Sequence, residues 1–302
     1  MNKNEEKEVG RRFLEIYSGI LFHSPDFQTG REIACAYDFA NPQLEELKAR
    51  YPILHVAGKG GDFERALRIC HWLAPNLSHK SDFSLSAHQE INSLSLLDYA
   101  FGNREHGINC VCKAKILVEC CLALGIFARR IGLYPNSPYD LDNHVVAEIY
   151  DRKLKKWVML DPTTGGYFTD GKTPLSCLEM RECFAQNARG TVVLPRQRVT
   201  ECDKLAEKNL SWNYYYAKNC FFMTVETTSG FGKNDAESAY LLPIGFDHRA
   251  HFIRKTDYML KAAIQDNWGE TAVNSLKEQL EYYNGFTPLI GSTTLWNALS
   301  NK

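Results

Sequence analysis

The chain has 302 residues, with 44% hydrophobic and 24% charged side chains, which is enough apolar material for one large domain or a core with additions. Its formal net charge is −1 with both signs spread along the sequence, so there is no electrostatic case for a nucleic-acid or anionic-membrane partner. No stretch approaches the ~20 apolar residues of a membrane span, and the charged start MNKNEEKEVG lacks the apolar core of a signal peptide; a cytoplasmic protein is expected.

Glu5 to Ile20 has the period of an amphipathic helix, with Phe13, Leu14, Tyr17 and Ile20 on one side. After a loop around Ser24-Pro25-Asp26, Asn41-Pro42 supplies a cap and a first-turn proline for a second helix through PQLEELKARY. Residues 1–50 read as a helical extension packed on a core at 51–192. Asp62 to Leu73 is helical in period, aligning Phe63, Ala66, Leu67, Cys70 and Leu73, and Ser95 to Ala100 fits a short helix. His71 and His79 suit surface or satisfied core positions better than ligand positions.

The stretch HGINCVCKAKILVECCLALGIFARR, His106 to Arg130, organises the chain. Asn109 is a plausible N-cap, and no Pro or Gly breaks the helical pattern until Gly125, where a C-terminal stop is expected. Apolar side chains cover most of the helix, and only Lys113, Lys115 and Glu119 need water. Cys110 then falls in the first turn, where unpaired N–H groups and the helix dipole favour an anion. A thiol so placed has its pKa lowered, and the thiolate is the nucleophile. On this stretch alone, Cys110 reads better as a small buried hydrophobe, the commoner fate of a free cysteine. Cys112, Cys120 and Cys121 read as packing residues. The ten cysteines show neither C-x-x-C pairs nor a His–His helix motif, so no metal, and in a cytoplasmic chain no structural disulfide, is expected.

NHVVAEIYDRKLKKWVMLDPT, Asn143 to Thr163, reads as two strands around a polar turn at Asp151 to Leu154. Pairing Tyr150 with Lys155 puts His144 opposite Asp161, on one face and about 4.5–5.5 Å apart at Cβ. A carboxylate there would fix the imidazole tautomer and stabilise the imidazolium.

A Gly-rich turn, Thr164-Gly165-Gly166, follows, and Ser176 to Asn187 reads as a helix. WNYYYAKNCFF, Trp212 to Phe222, admits two readings: strands packed into a core, which is favoured, or an aromatic wall for substrate. His248 and His251 have a His-x-x-His spacing but lack a recognisable third ligand. Thr256 to Asn284 reads as one or two helices with a possible break at Gly269. Residues 193–302 are expected to form a C-terminal extension packed on the core.

Cys110, Ala114 and Gly125-Ile126-Phe127-Ala128-Arg129 resemble the G-x-C-x-x-x-A…G-I-x-A-R signature of the transglutaminase-like superfamily. His144-Val145-Val146-Ala147-Glu148 and Trp157-Val158-Met159-Leu160-Asp161-Pro162-Thr163 resemble its H-x-x-x-E and W-x-x-x-D-P-T segments. The match in order and spacing covers roughly Asp62 to Gly166, and the helix at Asp62–Leu73 resembles the one preceding the nucleophile. The resemblance implies an α+β, papain-like core in which a central nucleophile helix packs on an antiparallel sheet, with a Cys110–His144–Asp161 triad. Phe127 stands where a Pro is usual and Val145 where an aromatic often follows the His, departures that bear on the cleft wall and remove no catalytic atom.

The expected function is a cysteine enzyme acting on amide or peptide bonds of a peptide or protein through a thioester acyl-enzyme. Cys110 attacks, His144 moves the proton, Asp161 orients His144, and the Cys110 N–H donates to the oxyanion. Hydrolysis is favoured by analogy within the superfamily; the alternatives are protein-glutamine cross-linking to an amine, a protein-binding scaffold, and a peptide N-glycanase. No cofactor is implied, and no calcium loop of alternating acidic residues is present.

Overall fold

The computed structural model of the protein describes residues 3–81, 83, 90–103, 105–186, 191–193, 212–234 and 237–299. Before the nucleophile region lie α1 (Lys3–Phe22), β1 (Ala36–Tyr37), α2 (Pro42–Arg50), α3 (Ile53–Ala57), α4 (Asp62–Asn76), β2 (Ser78–His79), α5 (Ser93–Gly102) and β3 (Gly107–Ile108). Next come α6 (Cys110–Ala123), β4 (Ala128–Tyr134), β5 (His144–Asp151), β6 (Lys156–Leu160), β7 (Tyr167–Thr169), α7 (Cys177–Ala185) and β8 (Thr191–Val193). Residues 212–219 form α8. The chain ends with β9 (Phe222–Glu226), β10 (Thr228–Ser229), β11 (Ser238–Leu241), α9 (His248–Gln265), α10 (Glu270–Gly285), β12 (Leu289–Ile290) and α11 (Thr294–Asn297).

The fold is α+β. The main sheet runs β12-β11-β9-β4-β5-β6, antiparallel except for β11–β12, so strands from beyond residue 193 extend the sheet that holds His144. Period-two alternation splits its side chains between two cores. Ala128, Ala147, Ile149, Val158 and Leu160 join the core around α4, α5 and α6, whereas Ile131, Leu133, Val146 and Met159 join the core around α1, α7 and α8. With both faces covered, the strands read as continuous apolar runs.

Helix α6 starts where its cap requires: the Asn109 carboxamide accepts from Cys112 N at 3.1 Å. It stops at Gly125, whose φ of +72° belongs to a left-handed C-cap. Every residue from Cys112 to Ala123 is buried, including the three charged ones expected to face water. Lys115 and Glu119 instead pair at 3.1 Å. Glu119 accepts from Ser93 N (2.6 Å) and Gly232 N (2.9 Å), and Lys115 donates to Gly230 O and Lys233 O. Lys113 donates to Leu77 O at 2.7 Å. These contacts tie α6 to the loops around it, so its polar side chains anchor neighbours rather than meet solvent.

The hairpin differs from the expected register by two residues, because Tyr150 pairs with Trp157 rather than Lys155. Asp151 belongs to the strand: its Oδ1 accepts from Lys153 N (2.9 Å) and Leu154 N (2.7 Å), closing a turn over 152–155 with Lys155 at φ +55°. The ladder ends at Ala147–Leu160, and Asp161 instead bridges to Gly166. A two-residue slip preserves the side-chain faces, so His144 and Asp161 still share one.

Other elements depart less. On α1 Gly10, Leu14, Ser18 and Leu21 are buried, while Phe13 is exposed, which turns the inward face by about one residue. The aromatic run from Trp212 is helical, not strand. Helix α9 begins at His248, ahead of the expected Thr256, with Asp247 as N-cap. Nine cysteines are free thiols among the described residues; Cys202 lies outside them. Among the described residues no helix is long and apolar enough to cross a membrane.

Candidate active site

Three elements bring Cys110, His144 and Asp161 together. The start of α6 presents Cys110, half-exposed; the first residue of β5 presents His144; and the residue after β6 presents Asp161. His144 is 4% exposed and Asp161 1%, so both side chains sit in a low-dielectric setting. Nε2 of His144 stands 3.2 Å from Oδ2 of Asp161, an ion-pair distance set off the line of an ideal hydrogen bond. With Nε2 turned to the carboxylate, Nδ1 is the nitrogen available to Cys110, which hydrogen-bonds the ring.

Burial alone would neutralise both groups of the ion pair, yet their mutual attraction prevails. Desolvation lowers the imidazole pKa, but the Asp161 charge and contact, with the Cys110 hydrogen bond, raise it to about 10. Desolvation likewise pushes Asp161 up, and His144, the Tyr216 hydroxyl and Thr163 N together bring it down to about 2. Asp161 is amply held: Oδ1 accepts from Thr163 N (2.8 Å), and Oδ2 accepts from the Thr164 hydroxyl (3.0 Å) and the Tyr216 hydroxyl.

The site opens into a cleft of about 580 Å³. Cys110 and His144 line it together with Asn109 and Val111, His79 and Ser81, Leu141 to Asn143, Thr163, and Trp212, Tyr214 and Tyr215 of α8. Tyr215 and Tyr216 both stand edge-on to the His144 ring, at 5.5 and 5.6 Å between centroids. The aromatic run of α8 thus serves both readings open in the sequence: Tyr216 and Ala217 pack into the core while Trp212, Tyr214 and Tyr215 wall the cleft. A signal was available, because Asn213, Tyr216, Ala217 and Cys220, buried together with Asn219, have helical spacing.

His79 has no comparable signal. It reaches the cleft because β2 pairs in parallel with β3, placing His79 beside Ile108, and burial with the nearby Lys113 and His144 lowers its pKa. His71 is half-buried on α4. His248 and His251 are buried among Phe222, Tyr240, Phe246 and Phe252, away from the cleft. Among the described residues no group of three or more His, Cys, Asp or Glu side chains is placed to hold a metal ion.

The other motif residues serve the frame. Glu148 accepts from Arg129 Nε (2.9 Å) and from Cys177 N (2.8 Å), and the Arg129 guanidinium lies 3.8 Å over the Trp157 ring while donating to Leu295 O and Trp296 O. Phe127 stands edge-on to Tyr37 and Phe39 and does not line the cleft.

Compared with known families, residues 53–162 match the transglutaminase-like superfamily. This segment is a transglutaminase-like domain. It contains all of α3 to α6 and runs one residue past Asp161, so Cys110, His144 and Asp161 fall inside it, whereas α8 falls outside. No curated protein matches the chain. A solved structure from Cytophaga hutchinsonii, described as that of a candidate cysteine protease, is 22% identical over 40% of this chain, with a TM-score of 0.31. The chain spans only 38% of that structure's length, a likeness too slight to bear on function.

Proposed function

We propose that the transglutaminase-like domain is a cysteine-dependent hydrolase of amide bonds in peptides or proteins, with Cys110, His144 and Asp161 as its triad. The observation that carries this reading is the buried His144–Asp161 ion pair at 3.2 Å, set beside a half-exposed cysteine at a helix start and open to a cleft. A ring with its pKa near 10 is an imidazolium at neutral pH, the natural counter-ion of a thiolate and a ready proton donor.

In the first half-reaction the sulfur of Cys110 attacks the carbonyl carbon and forms a C–S bond. The oxyanion is met by the Cys110 N–H, one of the first-turn donors that no helical carbonyl can reach. His144 gives its proton to the amide nitrogen, the C–N bond breaks, and the amine leaves a thioester. In the second, water attacks the thioester carbon while the neutral ring takes one of its protons; the C–S bond breaks, the carboxylic acid departs and gives its remaining proton to solvent, and the thiolate–imidazolium pair is restored. Asp161 stays ionised throughout and holds the ring in register.

The test is to incubate the protein with peptide mixtures, with and without a primary amine, and weigh the products. Hydrolysis adds the mass of water and disappears in Cys110→Ala. Products carrying the amine in place of water would make the protein a cross-linking acyltransferase. Binding without turnover in both proteins would make it a scaffold.

A further inference from the structure

The donors on Asp161 come from two places. Thr163 N and the Thr164 hydroxyl lie two and three residues along the same turn, so they fix the carboxylate relative to its own loop. They do not relate it to β5, where His144 stands. The Tyr216 hydroxyl reaches Oδ2 from a residue 55 positions away in the chain. The same ring is edge-on to His144 at 5.6 Å and 81°, and edge-on to Phe168 at 4.8 Å and 74°. One rigid side chain, 1% exposed, therefore touches both partners of the ion pair and is itself wedged from behind.

We infer that Tyr216 is a positioning residue of the triad: its hydroxyl holds the Asp161 carboxylate while its ring seats the His144 imidazole. The inference rests on the triad reading of Cys110, His144 and Asp161. It means that the reactive unit extends past the 53–162 segment to α8, which supplies both Tyr216 and part of the cleft lining. The bland alternative is a buried hydroxyl that has merely found an acceptor, as buried tyrosines do. That role would affect the stability of the fold and leave the chemistry of Cys110 unmoved.

The other titratable groups acting on the pair are Cys110 on α6, Cys70 on α4, His79 on β2 and Tyr215 beside Tyr216, with Asp142 acting on His79 and Tyr215. None of them changes in Tyr216→Phe, which keeps the ring and removes only the donor. Loss of a hydrogen bond to a charged carboxylate makes that carboxylate easier to protonate. The imidazolium then loses its counter-charge, and with it the thiolate, at a higher pH than before.

The experiment measures the rate of Cys110 alkylation by iodoacetamide against pH, alongside the melting temperature. In Tyr216→Phe the acid limb moves up by about one pH unit and the plateau rate falls several-fold, while melting drops by only a few degrees, as loss of one hydrogen bond to a buried carboxylate requires. A fluorinated tyrosine inserted at position 216 keeps the packing and donates more strongly, so it moves the acid limb the opposite way and guards against a misfolded Phe variant. A folded Tyr216→Phe whose profile superimposes on wild type overturns the inference, as does a fluorotyrosine profile shifted in the same direction as Phe. A different result marks failure of the triad itself: wild-type Cys110 titrating like an isolated thiol and indifferent to His144→Ala.

Discussion

Nε2 of His144 and Oδ2 of Asp161 lie 3.2 Å apart with almost no exposure to water, and each holds the other in its charged form. The consequence for stability has a definite sign. His144 is raised from 6.5 to about 10, so its contribution is complete below pH 6.5 and is lost as pH rises through 10. Asp161 is lowered from 3.8 to about 2, so its contribution is complete above pH 3.8 and is lost as pH falls through 2. The stability gap between wild type and Asp161→Asn, from urea midpoints, should be widest from about pH 4 to 6.5 and should narrow toward pH 10. A gap that stays flat from pH 5 to 10 would mean that His144 is not held as an imidazolium.

Lys115→Met should destabilise the protein by about 3–5 kcal/mol, because it strands the Glu119 carboxylate in a site where it has no access to water. Urea unfolding should show a lowered midpoint at unchanged slope. A change under 1 kcal/mol would show that Ser93 N and Gly232 N alone satisfy Glu119.

Iodoacetamide at limiting concentration and near-neutral pH should label Cys110 before the other described cysteines. Burial pushes Cys112 up to about 11 and Cys220 to about 12, and sets Cys70, Cys120 and Cys177 well above the ordinary thiol range. Cys183 shares the partial exposure of Cys110 but is also raised by burial, so it is the control to watch. Peptide mapping after brief labelling decides the order, and faster labelling of Cys183 or Cys112 would count against the nucleophile.

How much of this was legible in the sequence depends on whether the signal was local. Asn109, Gly125 and the apolar run between them fix α6 by capping and propensity, and the structure places its ends there. The faces of β5 and β6 were legible but their register was not, because Asp151 looks like a turn residue and acts as a strand end whose side chain binds the turn. The charges of α6 misled, since beyond the Lys115–Glu119 pair they bind backbone groups of other segments, at Leu77, Ser93, Gly230, Gly232 and Lys233. For the same reason His79 and Tyr216 were invisible as site residues: a two-residue parallel bridge brings one, and a helix beyond the matched segment brings the other. Aromatic composition suggested strand for Trp212–Phe222, whereas the three-to-four spacing of its buried residues carried the better signal.

The central claim is that Cys110, His144 and Asp161 act as one unit, and a double-mutant cycle on the rate of peptide hydrolysis tests it most directly. His144→Ala removes the proton carrier and should cost about 10²–10⁴-fold. Asp161→Asn keeps the shape and removes the charge, so its loss should be large while some turnover survives. Because Asp161 acts only through the ring, the double variant should be scarcely slower than His144→Ala alone. If the two single defects simply multiply in the double variant, Asp161 works independently of His144 and the three residues are not a triad.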